Sequence, residues 1–574
     1  MGDNKNSKIS FLSGNEAVAQ GAYEEGLCFA ASYPGTPASE ILEYLSRFPE
    51  VNSQWSVNEK VAFEVALASA IAGRRSLYAS KHVGLNVAMD PLMTSAYMGI
   101  NAGFLVVSCD DPGIHSSQNE QDNRLLAKFA QIPLIEPASP KEARDFVGEA
   151  FKVSESFDTP VMLRMTTRVA HTKENMSIGK RKEPVIKEFS NVIEKYVMVP
   201  RNAYRRHINL LERMERLKSF SEKTSLNRVE YQDKRIGFIT SGVSYLYAKE
   251  AYPEASFLKL GFSFPFPQQK ARMFASQVKE VYVIEELEPF LEEELRIAGI
   301  KCKAKHSSYR IGELRPEDIP QIVKGKKKKE VVAPTRRPVM CAGCGHRAVF
   351  SVLKKLRLIV TGDIGCYTLG ALPPLTSLHS CLCMGSGITF FEGFRKVLGK
   401  NVVGVIGDST FVHSGIPALI NLSYNKTNGV VIILDNNTTA MTGGQPHPAT
   451  GVNIKGELAW KLILEEICKA CGADNVDVVN PHEVKLFREI LERRLDAEAL
   501  SVIIARAPCR AIKREKNNPP IYLKDKCKKC FVCLELGCPA LNKNEDGFII
   551  LDTNLCVGCN LCVEFCKFGA LVKS

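Results

Sequence analysis

The sequence predicts a multidomain α/β protein with two parallel-sheet domains, a third α/β domain between them and a small α+β domain after them. Three observations lead to this prediction. Short apolar runs such as 103–108 and 430–434 alternate with helix-like segments, which is typical of parallel sheets. The chain has 574 residues, too many for one hydrophobic core. Eight of its 19 cysteines follow residue 526, which sets this last segment apart.

The composition excludes several classes of protein. Hydrophobic residues make up 45% and charged residues 24% of the chain, which excludes disordered and fibrous proteins. No stretch approaches the ~20 apolar residues that cross a membrane. The first ten residues lack the basic segment followed by an apolar one that marks a secretory signal. We therefore expect a cytoplasmic protein without membrane contact.

The formal net charge of +12 is spread along the whole chain. The one dense basic run, at 324–329, lies between periodic segments and is typical of a solvated linker. The charge therefore does not indicate nucleic-acid binding, but it suits an acidic protein partner.

Changes in composition divide the chain into six predicted segments. Three of them alternate strands with helices, and the other three are a polar helical excursion, a basic linker and the cysteine-rich tail. In chain order the segments are 1–170 (α/β), 171–233 (helical excursion), 234–323 (α/β), 324–338 (linker), 339–512 (α/β) and 518–574 (tail).

The tail contains two triplets of cysteines with C-x2-C-x2-C spacing, each followed by a fourth cysteine. In such a pattern three thiolates hold one iron–sulfur cluster and the fourth cysteine reaches the neighbouring cluster. Two zinc ribbons are the alternative, but these show paired knuckles rather than triplets. The tail resembles a bacterial-type two-cluster ferredoxin. The predicted ligands are Cys527, Cys530, Cys533 and Cys566 for one [4Fe–4S] cluster, and Cys538, Cys556, Cys559 and Cys562 for the other.

Two buried strands of segment 339–512 end in residues that can bind a metal. One ends in Gly407 and Asp408, and the next runs into Asn436. The carboxyl ends of parallel strands open into one crevice, where oxygen ligands can hold Mg²⁺ and, through it, a diphosphate. Gly407 allows close approach of the backbone, and Ser409 begins a helix whose amides favour an anion.

A second glycine-rich turn, with Gly385 and Gly387, is expected to add its amides to the same diphosphate. The whole pattern resembles the thiamine diphosphate signature. The resemblance implies that Mg²⁺ takes Asp408, Asn436 and the backbone carbonyl of Thr438, with Asn437 in place of Asn436 as the alternative. The loop 442–445 resembles that of the 2-oxoacid:ferredoxin oxidoreductase family.

In this family a glutamate at the start of a helix activates thiamine by exchanging a proton with its aminopyrimidine ring. The resemblance implies that Glu59 has this role, since it stands thirteen residues before an Ala-Gly pair at 72–73. Two other interpretations stay open. Ser56 and Glu59 have the spacing of a capping box, and Glu64 is a second carboxylate, expected on a packed helix face.

The turn 33–37 resembles the substrate side of the family's active site, which implies that Thr36 directs its hydroxyl at the keto acid. A Pro-flanked β-turn without function is the alternative. Pyruvate-specific relatives carry an arginine near the following strand end, but the stretch 106–111 has none. This difference, together with Met441, favours a bulkier keto acid.

Four further cysteines match a pattern with which some relatives hold a cluster near the thiamine. They are Cys341, Cys344, Cys366 and Cys509. Because the fourth is distant in sequence, Cys341 and Cys344 have two other interpretations, as structural cysteines or as zinc ligands.

The order of segments resembles the thiamine-dependent 2-oxoacid:ferredoxin oxidoreductases, within them the large subunits that act on indolepyruvate. It implies a pyrimidine-binding domain, a transketolase-C-like domain, a diphosphate-binding domain and a ferredoxin-like tail. The implied reaction is oxidative decarboxylation of an arylpyruvate to its acyl-coenzyme A, with electrons passing through the clusters to ferredoxin. A smaller beta subunit and a hetero-oligomer are also implied. A non-oxidative decarboxylase and a non-catalytic electron-transfer subunit are the alternatives.

Overall fold

The structure is a computed structural model that describes residues 9–189, 191–329 and 338–574. It divides into two compact units, Met1–Val332 and Ala333–Ser574. The predicted basic linker at 324–338 lies mostly outside the described residues, and so do residues 1–8 of the first predicted segment. Within the described part of the chain, no helix combines the length and apolar character needed to cross a membrane.

The strands described in unit 1 are β1 (Ile9–Ser13), β2 (Phe29–Ser32), β3 (Asn52–Trp55), β4 (Ser76–Lys81), β5 (Phe104–Asp110), β6 (Leu134–Ile135), β7 (Val161–Thr166), β8 (Lys173–Ser177), β9 (Asn227–Glu230), β10 (Asp233–Ser241), β11 (Ala255–Leu260), β12 (Phe262–Phe264) and β13 (Glu280–Ile284). Its helices are α1 (Gly14–Glu24), α2 (Ser39–Leu45), α3 (Glu59–Ile71), α4 (His82–Val87), α5 (Met89–Met98), α6 (Arg124–Ala130), α7 (Pro140–Phe157), α8 (Thr167–His171), α9 (Ile193–Tyr196), α10 (Pro200–Lys223), α11 (Val243–Ala251), α12 (Gln268–Ser276), α13 (Phe290–Ile297) and α14 (Asp318–Val323).

The largest sheet of unit 1 has the strand order β12-β6-β7-β5-β4-β2-β3. All of its pairings are parallel except that of β12 with β6. Because β2, β4 and β5 are neighbours, their carboxyl ends lie at one edge of the sheet. The residues that follow these three strands therefore meet there.

A second sheet of unit 1 has the order β13-β10-β11-β9. Its edge strand β9 and the strand β8, which pairs with β1, both lie in the segment 171–233. The prediction that this segment is a helical excursion is therefore only partly right, because the segment is not helical throughout. The long helix α10 is present as expected. The sequence did not predict these two strands, because they are short and mostly polar and show no clear alternation of apolar residues.

A buried arginine connects the two sheets of unit 1. Arg124, at the start of α6, is 1% exposed and donates to Asp122 over 2.6 Å and to Glu285, beyond β13, over 2.7 Å. It also donates to the carbonyls of Glu286 and Glu288 over 2.9 and 3.0 Å. Since the carboxylates and carbonyls replace the water that this charge loses on burial, the two sheets are held in a fixed relation.

The strands described in unit 2 are β14 (Ile359–Gly362), β15 (Ser380–Cys381), β16 (Val402–Gly407), β17 (Gly429–Asp435), β18 (Asn475–Val479), β19 (Leu500–Arg506), β20 (Ile521–Tyr522), β21 (Leu541–Lys543), β22 (Ile549–Leu551) and β23 (Leu571–Val572). Its helices are α15 (Gly345–Lys355), α16 (Ser386–Leu398), α17 (Asp408–Thr410), α18 (Ile416–Tyr424), α19 (Leu464–Ala470), α20 (Val484–Asp496) and α21 (Leu561–Phe565).

The main sheet of unit 2 is parallel throughout, with the order β15-β14-β16-β17-β19-β18. Strands β16 and β17 are buried along their whole length, which explains their unbroken apolar sequences. The tail forms two short antiparallel pairs, β20 with β23 and β21 with β22. Its small core packs against Ala348 of α15.

We predict that Arg124→Met lowers the free energy of unfolding of unit 1 by about 3–5 kcal/mol, because it leaves buried carboxylates without their cation. The matched control is Arg168→Met. Arg168 is half exposed and pairs with Glu313, so its loss should cost less than about 1 kcal/mol. Urea unfolding followed by circular dichroism measures both. Equal losses in the two variants would contradict this structural role for Arg124.

Candidate active site and electron-transfer cysteines

Glu59, the predicted activating carboxylate, is the first residue of α3 and is only 5% exposed. The cap of this helix is Asn58, whose side chain accepts a hydrogen bond from the amide of Val61 over 2.9 Å. A capping box needs the glutamate three residues after the cap, and Glu59 stands one residue after it. The interpretation of Ser56 and Glu59 as a capping box is therefore wrong.

The expectation that Glu64, the second candidate carboxylate, lies on a packed helix face is wrong. Glu64 is exposed and forms an ion pair with Lys60 one turn earlier on α3. The buried face of the helix carries Glu59, Ala62 and Phe63 instead. Glu64 thus points away from the sheet edge, which makes it a matched control for Glu59.

The carboxylate of Glu59 is packed closely by its neighbours. A Cβ at Gly84 in α4 would lie 2.6 Å from Glu59 Oε1, so any larger residue at this position would displace the carboxylate. The charge of Glu59 also affects the buried Tyr78 on β4, because burial and the Glu59 carboxylate both raise the pKa of Tyr78. The carboxylate is therefore held in a dry, confined position.

Thr36 lies, half-buried, in the turn that follows β2. The turn is fixed by a hydrogen bond from the amide of Gly35 to Ser39 Oγ over 2.9 Å. The side chain of Lys81, the last residue of β4, lies over the turn: its Cγ and Cδ are 3.1 Å from the position of a Cβ at Gly35. The structure thus brings Lys81 to the threonine turn.

Lys81 is a cation in a poorly solvated position. Burial lowers the pKa of Lys81 to about 8, and the negative charges of Asp111 and Glu59 oppose this shift. Its Nζ donates to the carbonyl of Ser116 over 2.6 Å. One basic group thus lies near both the predicted activating carboxylate and the threonine turn.

The stretch 106–111 has no arginine of its own, but β7 supplies one beside it. Arg164 donates to Asp110 over 2.6 Å and to Glu136 over 2.7 Å, and it is 5% exposed. Asp111 accepts hydrogen bonds from Ser117 and Thr167. A third carboxylate, that of Asp122, lies 3.6 Å from Nη2 of Arg164, so Arg164 is engaged with three carboxylates.

The predicted Mg²⁺ ligands come together at the carboxyl ends of β16 and β17. Asp408 Oδ2 accepts a hydrogen bond from the amide of Asn437 over 2.7 Å, and its Oδ1 accepts one from the amide of Ser409 over 2.8 Å. Asn436 is half-buried, and its Oδ1 accepts from the amide of Thr438 over 3.2 Å. Asn437 is exposed, which favours Asn436 as the ligand.

Two residues that the sequence did not single out, His447 and Asp435, affect the pKa of Asp408. His447 Nε2 lies 3.4 Å from Asp408 Oδ2, and it is buried. Burial acts to raise the pKa of Asp408, but the nearby His447 and the hydrogen bond from the amide of Ser409 act to lower it, and the net shift is downward. The neighbouring Asp435 accepts from Arg506 over 2.6 Å. Asp408 is therefore kept as a carboxylate.

The glycine-rich turn is engaged by a buried carboxylate. The amides of Gly385 and Gly387 donate to Asp363 Oδ2 over 3.2 and 3.4 Å, and Tyr367 donates to its other oxygen. Burial raises the pKa of Asp363 to about 7. A Cβ at Gly407 would lie 2.7 Å from the ring of Tyr367. The role of Gly385, Gly387 and Gly407 toward a diphosphate stays a prediction.

The four cysteines of the third predicted cluster lie near one another. Burial and the charges of Cys341 and Cys366 raise the pKa of the Cys344 thiol to about 12. Burial and the charges of Cys509 and Cys341 raise that of Cys366 to about 11. The amide of Cys509 donates to the carbonyl of Asn436 over 3.1 Å, which places this group beside the Mg²⁺ ligands.

The tail cysteines line two separate cavities. The grouping is the one that the spacing predicts. One cavity is lined by Cys538, Cys556, Cys559 and Cys562. The other is lined by Cys527, Cys530, Cys533 and Cys566. Within the described ranges, no three histidine, cysteine, aspartate or glutamate side chains converge as one metal ion would require.

A buried arginine attaches the tail to the sheet of unit 2. Arg347, in the first turn of α15, is 2% exposed and donates to the carbonyls of Leu536 and Gly537 over 2.9 and 2.6 Å. On its other side it donates to the carbonyls of Met340 and, over 3.0 Å, Cys341. The guanidinium thus joins the loop before Cys538 to the loop that carries Cys341.

Sequence reasoning passed over several of these residues, although each has a signal in its position. Lys81 and Asp363 each stand at the carboxyl end of a buried strand. Arg347 follows the Cys-x2-Cys motif by three residues, and His447 follows the loop 442–445 by two. Position relative to a motif therefore carried information that residue type alone did not.

Three known protein families match parts of the chain. The family described as "Thiamine pyrophosphate enzyme, C-terminal TPP binding domain" matches residues 363–505. "Pyruvate flavodoxin/ferredoxin oxidoreductase, thiamine diP-bdg" matches residues 20–231. "4Fe-4S binding domain" matches residues 549–572. These matches confirm the predicted fold class and support thiamine diphosphate and an iron–sulfur cluster as cofactors.

Relatives named "Indolepyruvate oxidoreductase subunit IorA" match nearly the full chain. The protein of Archaeoglobus fulgidus is 39% identical over 98% of this chain and 97% of its own length. That of Methanothermobacter marburgensis is 40% identical, with the same coverage. That of Pyrococcus horikoshii is 38% identical over 100% of this chain and 98% of its own. The predicted resemblance is confirmed, and the chain belongs to the thiamine-diphosphate-dependent 2-oxoacid:ferredoxin oxidoreductase family, among the indolepyruvate oxidoreductase subunits IorA.

Proposed function

We propose that the protein catalyses the oxidative decarboxylation of aryl 2-oxoacids, indolepyruvate among them, to aryl-acetyl-coenzyme A, and passes the electrons through its clusters to ferredoxin. One observation carries this proposal. The eight tail cysteines line two cavities in the same unit that holds Asp408 and Asn436. A decarboxylase that releases an aldehyde transfers no electrons and has no use for such cavities.

The residues around Asp408 fit a magnesium ion that carries a diphosphate. The donors are a carboxylate, the amide oxygen of Asn436 and the carbonyl of Thr438, all oxygen atoms of the kind that Mg²⁺ prefers. The low pKa of Asp408 keeps it ionised. Ser409 adds a hydroxyl, which lies 2.9 Å from that of Thr439. These residues would hold the diphosphate end of the cofactor.

Thiamine diphosphate, when bound, supplies a nucleophilic carbon and an electron sink for the loss of CO₂. Glu59 is the residue of unit 1 that we assign to its activation. A carboxylate confined by Gly84 and shielded from water exchanges a proton with a ring nitrogen more effectively than an exposed one.

We assign Lys81 to the carboxylate of the 2-oxoacid and Thr36 to its keto group. A 2-oxoacid carries a negative charge, which a poorly solvated site accepts only beside a cation. Arg164 is engaged with three carboxylates, whereas Lys81 donates to a neutral carbonyl. The absence of an arginine in 106–111, together with Met441, favours an aryl side chain on the substrate.

Three clusters complete the proposal. The two tail cavities would hold [4Fe–4S] clusters with the ligands that line them. The group of Cys341, Cys344, Cys366 and Cys509 would hold a third, because its thiols influence one another's pKa values and lie beside the Mg²⁺ ligands. We further propose a smaller beta subunit as partner, in a cytoplasmic hetero-oligomer.

One anaerobic assay separates this function from its alternatives. The protein with its partner subunit is incubated with arylpyruvate, coenzyme A and oxidised ferredoxin, and both ferredoxin reduction and aldehyde are measured. Reduced ferredoxin with little aldehyde is expected. Aldehyde without ferredoxin reduction would identify a non-oxidative decarboxylase, and neither product would identify a non-catalytic electron-transfer subunit.

We predict that Glu59→Gln lowers kcat about 10²–10⁴-fold, because the amide keeps the shape of the side chain but cannot exchange a proton. Ferredoxin reduction at saturating arylpyruvate measures the effect. Glu64→Gln, on the exposed face of the same helix, should keep the activity of the unmodified protein. Similar losses in both variants would exclude a special role for Glu59.

We predict that Lys81→Met raises KM for the 2-oxoacid at least about tenfold, because the loss of a charged hydrogen bond costs about 1.5–3 kcal/mol. The affinity for thiamine diphosphate should stay unchanged. Since burial lowers the pKa of Lys81 to about 8, the cation is present below this pH and lost above it. KM should therefore rise as the pH passes about 8, in the unmodified protein only. The exposed Lys60→Met is the control, and an unchanged KM in Lys81→Met would refute the assignment.

We predict about 12 iron atoms per chain in anaerobically prepared protein, four for each of three clusters. Cys509→Ser should reduce this number to about eight, and Cys28→Ser, which changes a cysteine outside all ligand patterns, should not. Iron analysis and Mössbauer spectroscopy measure both. About eight iron atoms in the unmodified protein and in Cys509→Ser alike would show that the third group is structural.

A further inference from the structure

The two tail cavities differ in what surrounds them. The cavity of Cys538, Cys556, Cys559 and Cys562 is lined also by Ala342, Gly343 and Arg347, which belong to the start of the sheet domain. The cavity of Cys527, Cys530, Cys533 and Cys566 is lined by tail residues alone. The first cavity therefore borders the sheet domain directly, whereas the second is formed by the tail alone.

The second cavity opens toward the surface of the unit. Among its cysteines, Cys530 is exposed. Two aromatic residues that line the same cavity are exposed as well, Phe531 by 36% and Phe568 by 48%. Large exposed aromatic residues at the mouth of a cavity are typical of surfaces that another protein covers.

Lysines surround this opening. Lys524, Lys526, Lys528 and Lys529 are all exposed and flank Cys527 and Cys530 in sequence. Lys524 and Lys529 both pack against the ring of Phe548, with their Nζ atoms 4.7 and 4.1 Å from the ring centre. Lys528 itself lines the cavity. The positive charges are therefore concentrated where the cysteine is exposed.

These lysines have no carboxylate partner in the described part of the chain. Exposed lysines elsewhere in unit 2 do have one: Lys396 pairs with Glu392 and Lys513 with Glu515. The acidic residues on the same loops, Asp525 and Asp546, form no ion pair with the four lysines, and Lys529 donates to the carbonyl of Asp546 instead. The charge of this surface thus stays available to an acidic partner.

We propose that this surface is the docking face for a small acidic electron-carrier protein, and that electrons leave the enzyme there. The exit face is defined by Lys524, Lys526, Lys528, Lys529, Phe531 and Phe568. The proposal rests on the proposed function, since it assumes clusters in both cavities. The cluster held by Cys538, Cys556, Cys559 and Cys562 is then the inner one, and the other is the donor to the carrier.

The physical basis is electrostatic steering followed by close contact. Lysines around an exposed cluster raise the rate at which an acidic protein arrives, and the two aromatic rings give the contact an apolar centre. In each encounter one electron passes from the reduced outer cluster, which is oxidised, to the carrier, which is reduced. No bond forms or breaks and no proton is needed, so proximity and complementary charge suffice.

The test uses the complete enzyme with its partner subunit and the double variant Lys524→Glu/Lys526→Glu. Both side chains are exposed, and neither lines the cavity of Cys527, Cys530, Cys533 and Cys566. The matched control is Lys469→Glu/Lys485→Glu, which reverses the charge of two exposed lysines elsewhere in unit 2. Reduction rates are measured with an acidic ferredoxin and with methyl viologen, a small acceptor that needs no docking face, at low and at high salt.

At low salt we expect kcat/KM for ferredoxin to fall at least tenfold in the test variant, with an unchanged rate for methyl viologen. High salt should reduce the difference between the variant and the unmodified enzyme, because it screens exposed charges. An unchanged ferredoxin rate, or an equal loss in the control variant, would overturn the proposal. So would an equal loss with both acceptors, since it would show damage to the chemistry instead.

Two further outcomes are distinguished by separate measurements. If the unmodified enzyme reduces neither acceptor, the proposed function fails. The proposal that electrons leave through the exit face is then overturned with it. Sedimentation velocity reports the other case. If the test variant breaks up an assembly that the control variant leaves intact, the face belongs to a subunit contact, which also overturns the proposal.

Discussion

One buried positive charge connects the two kinds of chemistry that unit 2 carries. Arg347 opposes the dipole of its own helix, since it stands in the first turn, where a positive charge is disfavoured. The four groups that it binds are carbonyls, and in the described residues no carboxylate pairs with it. Burial lowers its pKa, and the charges that oppose this shift come from Cys538, Cys344, Cys341 and Cys559. The arrangement is favourable once those cysteines are thiolates, as they are when they hold clusters.

Burial at the ends of parallel strands sets the character of the other groups. At the edge formed by β2, β4 and β5, Glu59 is buried, and its charge opposes the fall in the pKa of Lys81 that burial causes. At the ends of β16 and β17, hydrogen bonds from the amides of Ser409 and Asn437 stabilise the carboxylate of Asp408, whose pKa is lowered despite burial. The same sheet geometry thus positions the carboxylate that we propose for proton exchange in one unit and the one that we propose as a metal ligand in the other.

The sequence predicted those parts of the structure that depend on local pattern. Buried strands appear as apolar runs, and the ligand spacing of the tail follows from the shape of a cluster, so the strands β16 and β17 and the two cysteine sets could be anticipated. The capping of α3 could not, because Ser56 and Asn58 both suit a cap and only the backbone decides between them. Lys81 and Arg347 were missed for another reason. Their importance comes from neighbours distant in sequence, such as Gly35 for one and Gly537 for the other.

The central claim is that oxidation of a 2-oxoacid and reduction of iron–sulfur clusters occur within one polypeptide. Electron paramagnetic resonance of the anaerobic enzyme, mixed with arylpyruvate and coenzyme A in the absence of ferredoxin, tests it directly. The reduced-cluster signal should appear in the unmodified enzyme and stay absent in Glu59→Gln at equal iron content. Consumption of arylpyruvate with release of aldehyde, while every cluster remains oxidised, would contradict the claim.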